Sequence, residues 1–349
     1  MKGRDDIILY AAAFVAGDLL SGAAGGAIRP AIVLSSVILT LILAFFTAKR
    51  RWRATAVAAL LMLGAINAAI GRYPPGQTAL THLTETTKAT VSYQLNQIAG
   101  DGSEGAILSA IAIGDKSRID RTLKNDFKQS GAMHLIALSG LHIGVLYLFI
   151  TLTLGILGNS IAARRIRSAV TLALLWSYAL VTGLSSSILR AVIMITVYDT
   201  GELLGSRRSL MRALAISALI TTLASPDAPF KIGFQLSYGA MAGIGIIYPR
   251  LKTILDCRSA LLEKIWSMVA LSLSCQAVTA PLVWLYFGSF PRYFMITNFV
   301  AIPLTSAAIY LTPLALITKN LPVAGDFLQM ALQTSLRLLK TVIGIIAGL

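Results

Sequence analysis

The residues of this chain best placed to do chemistry are His134, Ser139 and His142, set in the stretch GAMHLIALSGLHIGVLYLFITLTLGILG that runs from Gly131 to Gly158. Ser139 and His142 stand three apart, so on a helix their hydroxyl and imidazole share a face, the pairing an intramembrane serine hydrolase would use. The rest of such a site is missing from the sequence. There is no Gly-x-Ser-x-Gly elbow, no plausible orienting carboxylate for the imidazole in a neighbouring span, and no HExxH formed by His134 and His142. Catalysis is not expected, His82 completes no metal set, and no cofactor is implied. The stretch is still unlike a plain anchor, because polar groups at membrane depth cost free energy and are kept mainly where they face protein or a water-filled cavity. Gly131, Gly140 and Gly144 permit close helix contact or a local break, so the stretch is read as lining something.

Later apolar runs carry more such groups. Arg190 follows three serines in VTGLSSSILRAVIMITVY; an arginine near a helix centre costs about 2.5–3.5 kcal/mol on insertion scales, whereas one near an end snorkels to the interface. Gln235, Ser237 and Tyr238 share a run with Gly239 and Gly243, a small-xxx-small pair that by itself means helix packing. Gln276 precedes Pro281 and Asn298 precedes Pro303 and Pro313, prolines expected to bend or break their helices. Singly these residues are ordinary in a bundle, and together they point to a polar interior.

The elements that must position them are membrane helices. The chain has 349 residues, 56% hydrophobic and 13% charged, with a mean hydropathy of +0.75, too little polar surface to cover a soluble globule. The expected fold is all-α, a polytopic bundle of about ten transmembrane helices with interfacial or amphipathic helices beside them. Spans fall near Ile7–Gly26, Ala31–Ala48, Ala54–Ile70, Leu135–Leu157, Ala169–Leu184, Ile188–Leu204, Leu210–Ala224, Ile232–Tyr248, Ile265–Phe287 and Tyr293–Leu316. The basic knot Lys49, Arg50, Arg51 and Arg53 fixes the orientation, with the N-terminus cytoplasmic and residues 71–131 outside. Cytoplasmic loops then carry most of the formal charge of +15, so that charge does not by itself mean nucleic acid. Four regions result: N-terminal helices over 1–70, an external helical segment over 71–131, a core over 132–317, and an amphipathic or membrane helix over 318–349. In the last, Asp326, Gln329, Gln333, Arg337 and Lys340 draw a polar stripe expected to lie at the interface or to face an aqueous path. Outside, Arg121, Lys124 and Lys128 share one helical face as a basic patch; the alternative is a solvated surface helix, because Asp115, Asp120 and Asp126 are interleaved.

The blocks IAIGDKSRID, FKQSGAMHLIALSGLHIGVL, VTGLSSSILRAVIM, SPDAPFKIGFQLSYGAMAGIGI and SCQAVTAPLVWLYFGSFPRYFMITNFVAIPL occur in that order between Ile107 and Leu316. They resemble the ComEC competence family, polytopic channels that carry transforming DNA into bacteria as a single strand. The resemblance implies an inner-membrane channel for single-stranded DNA and places Asp115, His134, Ser139, His142, Arg190, Gln235, Ser237, Gln276 and Asn298 on the translocation path. It also implies partners: membrane lipids, a DNA receptor, a separate nuclease and, since no Walker A pattern occurs, a cytoplasmic ATPase or DNA-binding protein; a homo-oligomer is open. Longer family members add an OB-like domain and a metallo-β-lactamase-like domain. Residues 71–131 are too short for the first and no HxHxDH motif occurs for the second, so the chain is not expected to cut DNA itself. Trp176, Tyr238 and Trp284 would offer base stacking or serve as packing and interface residues. The rival readings are a small-solute or lipid transporter on the same core and a membrane scaffold.

Overall fold

The computed structural model describes residues 79–158, 160–203, 209–255, 259–288 and 293–348, together with Val15. Apart from Val15, the first three expected spans lie outside the described residues. Among the described residues there are α-helices and no strands: α1 (Ala79–Ala99), α2 (Ser103–Ile113), α3 (Arg121–Gln129), α4 (Gly140–Thr153), α5 (Ile161–Val181), α6 (Ser186–Leu203), α7 (Leu210–Ala224), α8 (Ile232–Ile246), α9 (Tyr248–Lys252), α10 (Ala260–Phe287), α11 (Phe294–Thr318) and α12 (Ala324–Ala347). A 3-10 turn, Leu154–Leu157, extends α4.

Four of these helices are long and apolar enough to cross a membrane: Gly140–Leu157, Ala260–Phe287, Phe294–Thr318 and Ala324–Ala347. The expectation of about ten is therefore met by four among the described residues. Helices α7 and α8 are apolar but hold 15 residues each, about 22 Å of rise against a hydrocarbon core of about 30 Å. Helix α12, expected to lie peripherally, is long and apolar enough to span. Helices α10 and α11 also run unbroken through Pro281, Pro303 and Pro313, so the expected breaks do not occur.

The chain divides into two compact units. The larger holds the described residues of 77–192, 250–274 and 283–349. Its centre is the α11–α12 hairpin. On α11 the buried positions Thr297, Ala301, Thr305, Ala308, Thr312 and Ala315 form a stripe of small residues at three- and four-residue steps. On α12 the matching buried positions are Leu332, Leu336, Leu339, Ile343 and Ile346. Large aliphatic side chains thus seat against small ones, which lets the backbones approach and replaces lipid contacts by closer protein contacts, the term that drives helix association in hydrocarbon. Helix α2 enters the same core with every residue from Gly105 to Ile111 buried. It also packs so closely on the turn before it that a Cβ at Gly105 would lie 2.0 Å from the Gly100 carbonyl oxygen.

Polar contacts hold the segment 79–131 to this hairpin. Gln333 donates to the Ile98 carbonyl at 3.1 Å, Lys340 to Ser103 Oγ at 2.6 Å, and Lys319 to Gln94 Oε1. Arg337 lies 3.9 Å from Glu104. The stripe expected on α12 is therefore engaged in part by α1 and α2, and the segment read as external shares one apolar core with the last two helices.

The smaller unit holds the described residues of 193–249 and 275–282. Tyr238 on α8 is buried and its hydroxyl lies 3.0 Å from both Ser217 and Thr221 on α7. That placement removes it as a stacking platform. Gly239 faces Val278 of α10, where a Cβ would come within 3.2 Å of Cγ1, the close packing its small-residue spacing predicted.

Candidate functional site

The expected helix from about Leu135 begins instead at Gly140, and the reason lies in Ser139 and His142. Helix α3 ends first: Gly131 takes a left-handed φ of +78°, and the Ala132 amide bonds back to the Phe127 carbonyl at 2.8 Å and the Gly131 amide to that of Lys128 at 3.2 Å. This is a Schellman close, with Phe127 and Ala132 buried together beneath it. Ser139 then sits extended at φ −128° as the N-cap of α4, and His142 fills the place that glutamate or glutamine usually takes in a capping box. Its Nδ1 is 2.8 Å from Ser139 Oγ and accepts from the Ser139 amide at 3.2 Å. The hydroxyl and imidazole do meet, but as a helix cap. Because an amide N–H can only donate, Nδ1 is the acceptor and the ring proton belongs on Nε2.

His142 is 1% exposed, and its Nε2 has no hydrogen-bond partner. The ring faces a cavity of about 180 Å³ where α1, α2, α4, α5 and α11 meet, lined by residues that include Leu108, Ile111, Leu146, Tyr178 and Thr312. The wall around it is mostly apolar. A buried donor left unpaired forfeits about 1–3 kcal/mol. Sequence reasoning passed over Tyr178 and Thr312, whose hydroxyls donate to the carbonyls of Ala112 at 2.6 Å and Ala308 at 2.6 Å. A hydroxyl in the middle of an apolar run was the available signal.

The other expected residues fall into two groups. In the larger unit, His134 is exposed in the loop between α3 and α4, with Nδ1 3.1 Å from the Gly131 carbonyl. Leu135 and Ile136 beside it are buried and pin the loop. Asp115 follows the left-handed Gly114 that ends α2. Its carboxylate accepts from the Ser117 amide at 3.0 Å and from Ser92 Oγ at 3.3 Å. Burial pushes its pKa up, but Ser117, the Lys88 ammonium and Ser92 together outweigh that and hold it below its ordinary value. Arg190 is 5% exposed in the second turn of α6. Asn298, in the second turn of α11, keeps Oδ1 buried without a hydrogen-bond partner. In the smaller unit, Gln235 donates to the Pro229 carbonyl at 3.0 Å and so closes the turn before α8. Ser237 is half-buried on α8, and Gln276 accepts from Thr279 at 3.3 Å on α10.

Helix α3 carries its three bases on one exposed face, an arrangement that suits a binding patch and a solvated surface helix alike. Asp120 caps α3 by accepting from the Leu123 amide at 2.6 Å. Leu123 and Phe127 bury the inner face, and Arg121, Lys124 and Lys128 are exposed on the outer one. No group of metal-ligating side chains occurs among the described residues.

A family model described as "Competence protein" matches residues 111–349. The chain is 28% identical over 203 residues to ComE operon protein 3 of Bacillus subtilis (strain 168), a match that covers 56% of this chain and 24% of that protein. It is 28% identical over 250 residues to Competence protein ComA of Neisseria gonorrhoeae, covering 68% of this chain and 34% of the relative. The matched region thus spans about a quarter to a third of those relatives. No solved structure matches the chain. The family match takes in all of α3 to α12 and, with them, every candidate residue singled out above, so the chain belongs to the competence protein family.

Proposed function

We propose that this chain forms part of the path by which single-stranded DNA crosses the bacterial inner membrane during transformation. The observation that carries the reading is the exposed cationic face of α3, which leads through a closed turn directly into the His134–Ser139 loop. Arg121, Lys124 and Lys128 draw the polyanion to the surface by long-range attraction. The polar groups at Asp115, His134, Ser139, Arg190, Gln235, Ser237, Gln276 and Asn298 then serve the path, hydroxyls and amides screening phosphates without the holding power of a dense arginine lining. His142 acts one step back, by fixing Ser139 at the start of α4. The chain itself is a conduit and not an enzyme. A cytoplasmic ATPase or single-strand-binding protein pulls, other proteins capture and degrade DNA, and the N-terminus lies inside.

The test is transformation frequency in the source bacterium with the gene deleted, then restored as the natural chain or as Arg190→Ala. Deletion and the variant should both lower it, with the variant at normal membrane abundance. An unchanged frequency on deletion in a transformable strain sinks the proposal. The apolar cavity at His142 favours a second reading, a small-solute or lipid transporter on the same core; solute uptake indifferent to competing DNA would select it.

A further inference from the structure

We propose that the cavity at His142 is a binding site for a small neutral molecule, mainly apolar, about the size of a benzene ring and carrying one oxygen. The inference stands apart from the DNA reading. The cavity measures about 180 Å³ and its wall is mostly aliphatic, with His142, Tyr178 and Thr312 the exceptions. Cavities of about 150 Å³ lined by such side chains stay dry and accept benzene. A cluster of waters would need two to four polar partners for each molecule, and this wall does not supply them.

Among the described residues one donor meets the cavity. Nδ1 of His142 is taken up by the Ser139 amide and hydroxyl, so the edge of the ring left over carries the Nε2–H, buried and without a hydrogen-bond partner. No group, the Leu135 carbonyl included, closes a hydrogen bond to Nε2. Tyr178 and Thr312 spend their protons on backbone carbonyls, and their oxygens keep the capacity to accept. A hydroxyl oxygen can therefore accept from His142 and donate to Tyr178 or Thr312. A charged ligand is disfavoured, since no ionised group among the described residues lines the cavity to offset its desolvation.

The probe is 4-fluorophenol, followed by fluorine NMR on the full chain in lipid nanodiscs, with fluorobenzene as its apolar counterpart and empty nanodiscs as the partition blank. The natural chain should shift the 4-fluorophenol resonance saturably, and unlabelled phenol should reverse the shift. Leu146→Trp, which fills the cavity, should abolish binding of both probes. His142→Leu should weaken 4-fluorophenol about tenfold, one hydrogen bond's worth, and leave fluorobenzene unchanged. No saturable shift with the natural chain overturns the site, whatever the variants do. Binding that survives Leu146→Trp overturns its location, and equal losses of both probes in His142→Leu overturn the role of Nε2–H. Leu316→Phe fills the same cavity from α11 and stands in if Leu146→Trp fails to assemble.

Discussion

The cationic face of α3 makes the sharpest test of the DNA reading, because its worth can be worked out from counterion release. Arg121 and Lys128 stand seven residue steps apart, about 10 Å along the helix, with Lys124 between them, and all three are exposed. If each meets one phosphate, the slope of log K against log salt gains about −0.7 per contact on a single strand, or about −2 in total. Raising potassium chloride from 50 to 200 mM should then weaken oligonucleotide binding by about 18-fold through these residues alone. The variant is Arg121→Gln, Lys124→Gln and Lys128→Gln together. It leaves the Asp120 cap and the buried Leu123 and Phe127 untouched, so each surface change should move stability by no more than about 0.5 kcal/mol. The assay is fluorescence anisotropy of a labelled oligothymidine with the chain in nanodiscs, titrated at four salt concentrations. The slope should flatten by about 2. A slope that does not change, in a variant that melts with the natural chain, refutes the idea that these cations meet phosphates.

Three further outcomes follow from the larger unit. Gly105→Ala places a Cβ 2.0 Å from the Gly100 carbonyl oxygen and should cost at least about 1–3 kcal/mol, read as a lower melting temperature and reduced membrane abundance. Tyr178→Phe removes the donor to the Ala112 carbonyl and should cost about 1–3 kcal/mol by leaving that acceptor dry, without altering oligonucleotide binding. Asp115→Asn should destabilise at neutral pH. The native carboxyl titrates below its ordinary value of 3.8, so its contribution is present above that value and is lost as pH falls through the lowered one. The melting-temperature gap between the two proteins should therefore close in acid, and a gap constant down to pH 3 would refute the assigned ion and hydrogen-bond partners.

Periodic features were legible in the sequence. The bounds of α7 match the expected span residue for residue and those of α8, α10 and α11 differ by a few positions, because apolar runs between charged loops leave little freedom. The basic face of α3 was readable from i, i+3 and i+7 spacing. The start of α4 was not. An apolar run from Leu135 looks like continuous helix, and only the recognition of S-x-x-H as a capping box with histidine in the reciprocal place would have moved the start to Gly140. The contacts of α12 were also out of reach, since Gln333, Arg337 and Lys340 meet partners more than two hundred residues away along the chain. The polar stripe could be seen, but what it faced could not. Three of the expected path residues proved to be occupied in local closure: Ser139 and His142 in a cap and Gln235 in a turn.

That local closure bears on how a strand could be guided. The loop between α3 and α4 is stopped at one end by the Schellman turn at Gly131 and at the other by the Ser139–His142 cap, with Leu135 and Ile136 buried between them. Eight residues without regular hydrogen bonding are thus held at three points, and His134 is the side chain that this arrangement leaves outward. Ser139→Ala removes one half of the cap and should cost about 1 kcal/mol. It should also free the His142 ring to turn and the loop to loosen. If the fixed loop is what guides the strand, Ser139→Ala should lower transformation frequency more than its effect on membrane abundance accounts for, and Ser139→Thr, which keeps the hydroxyl, should restore it. Equal frequencies for alanine and threonine at equal abundance would mean that the cap serves folding alone.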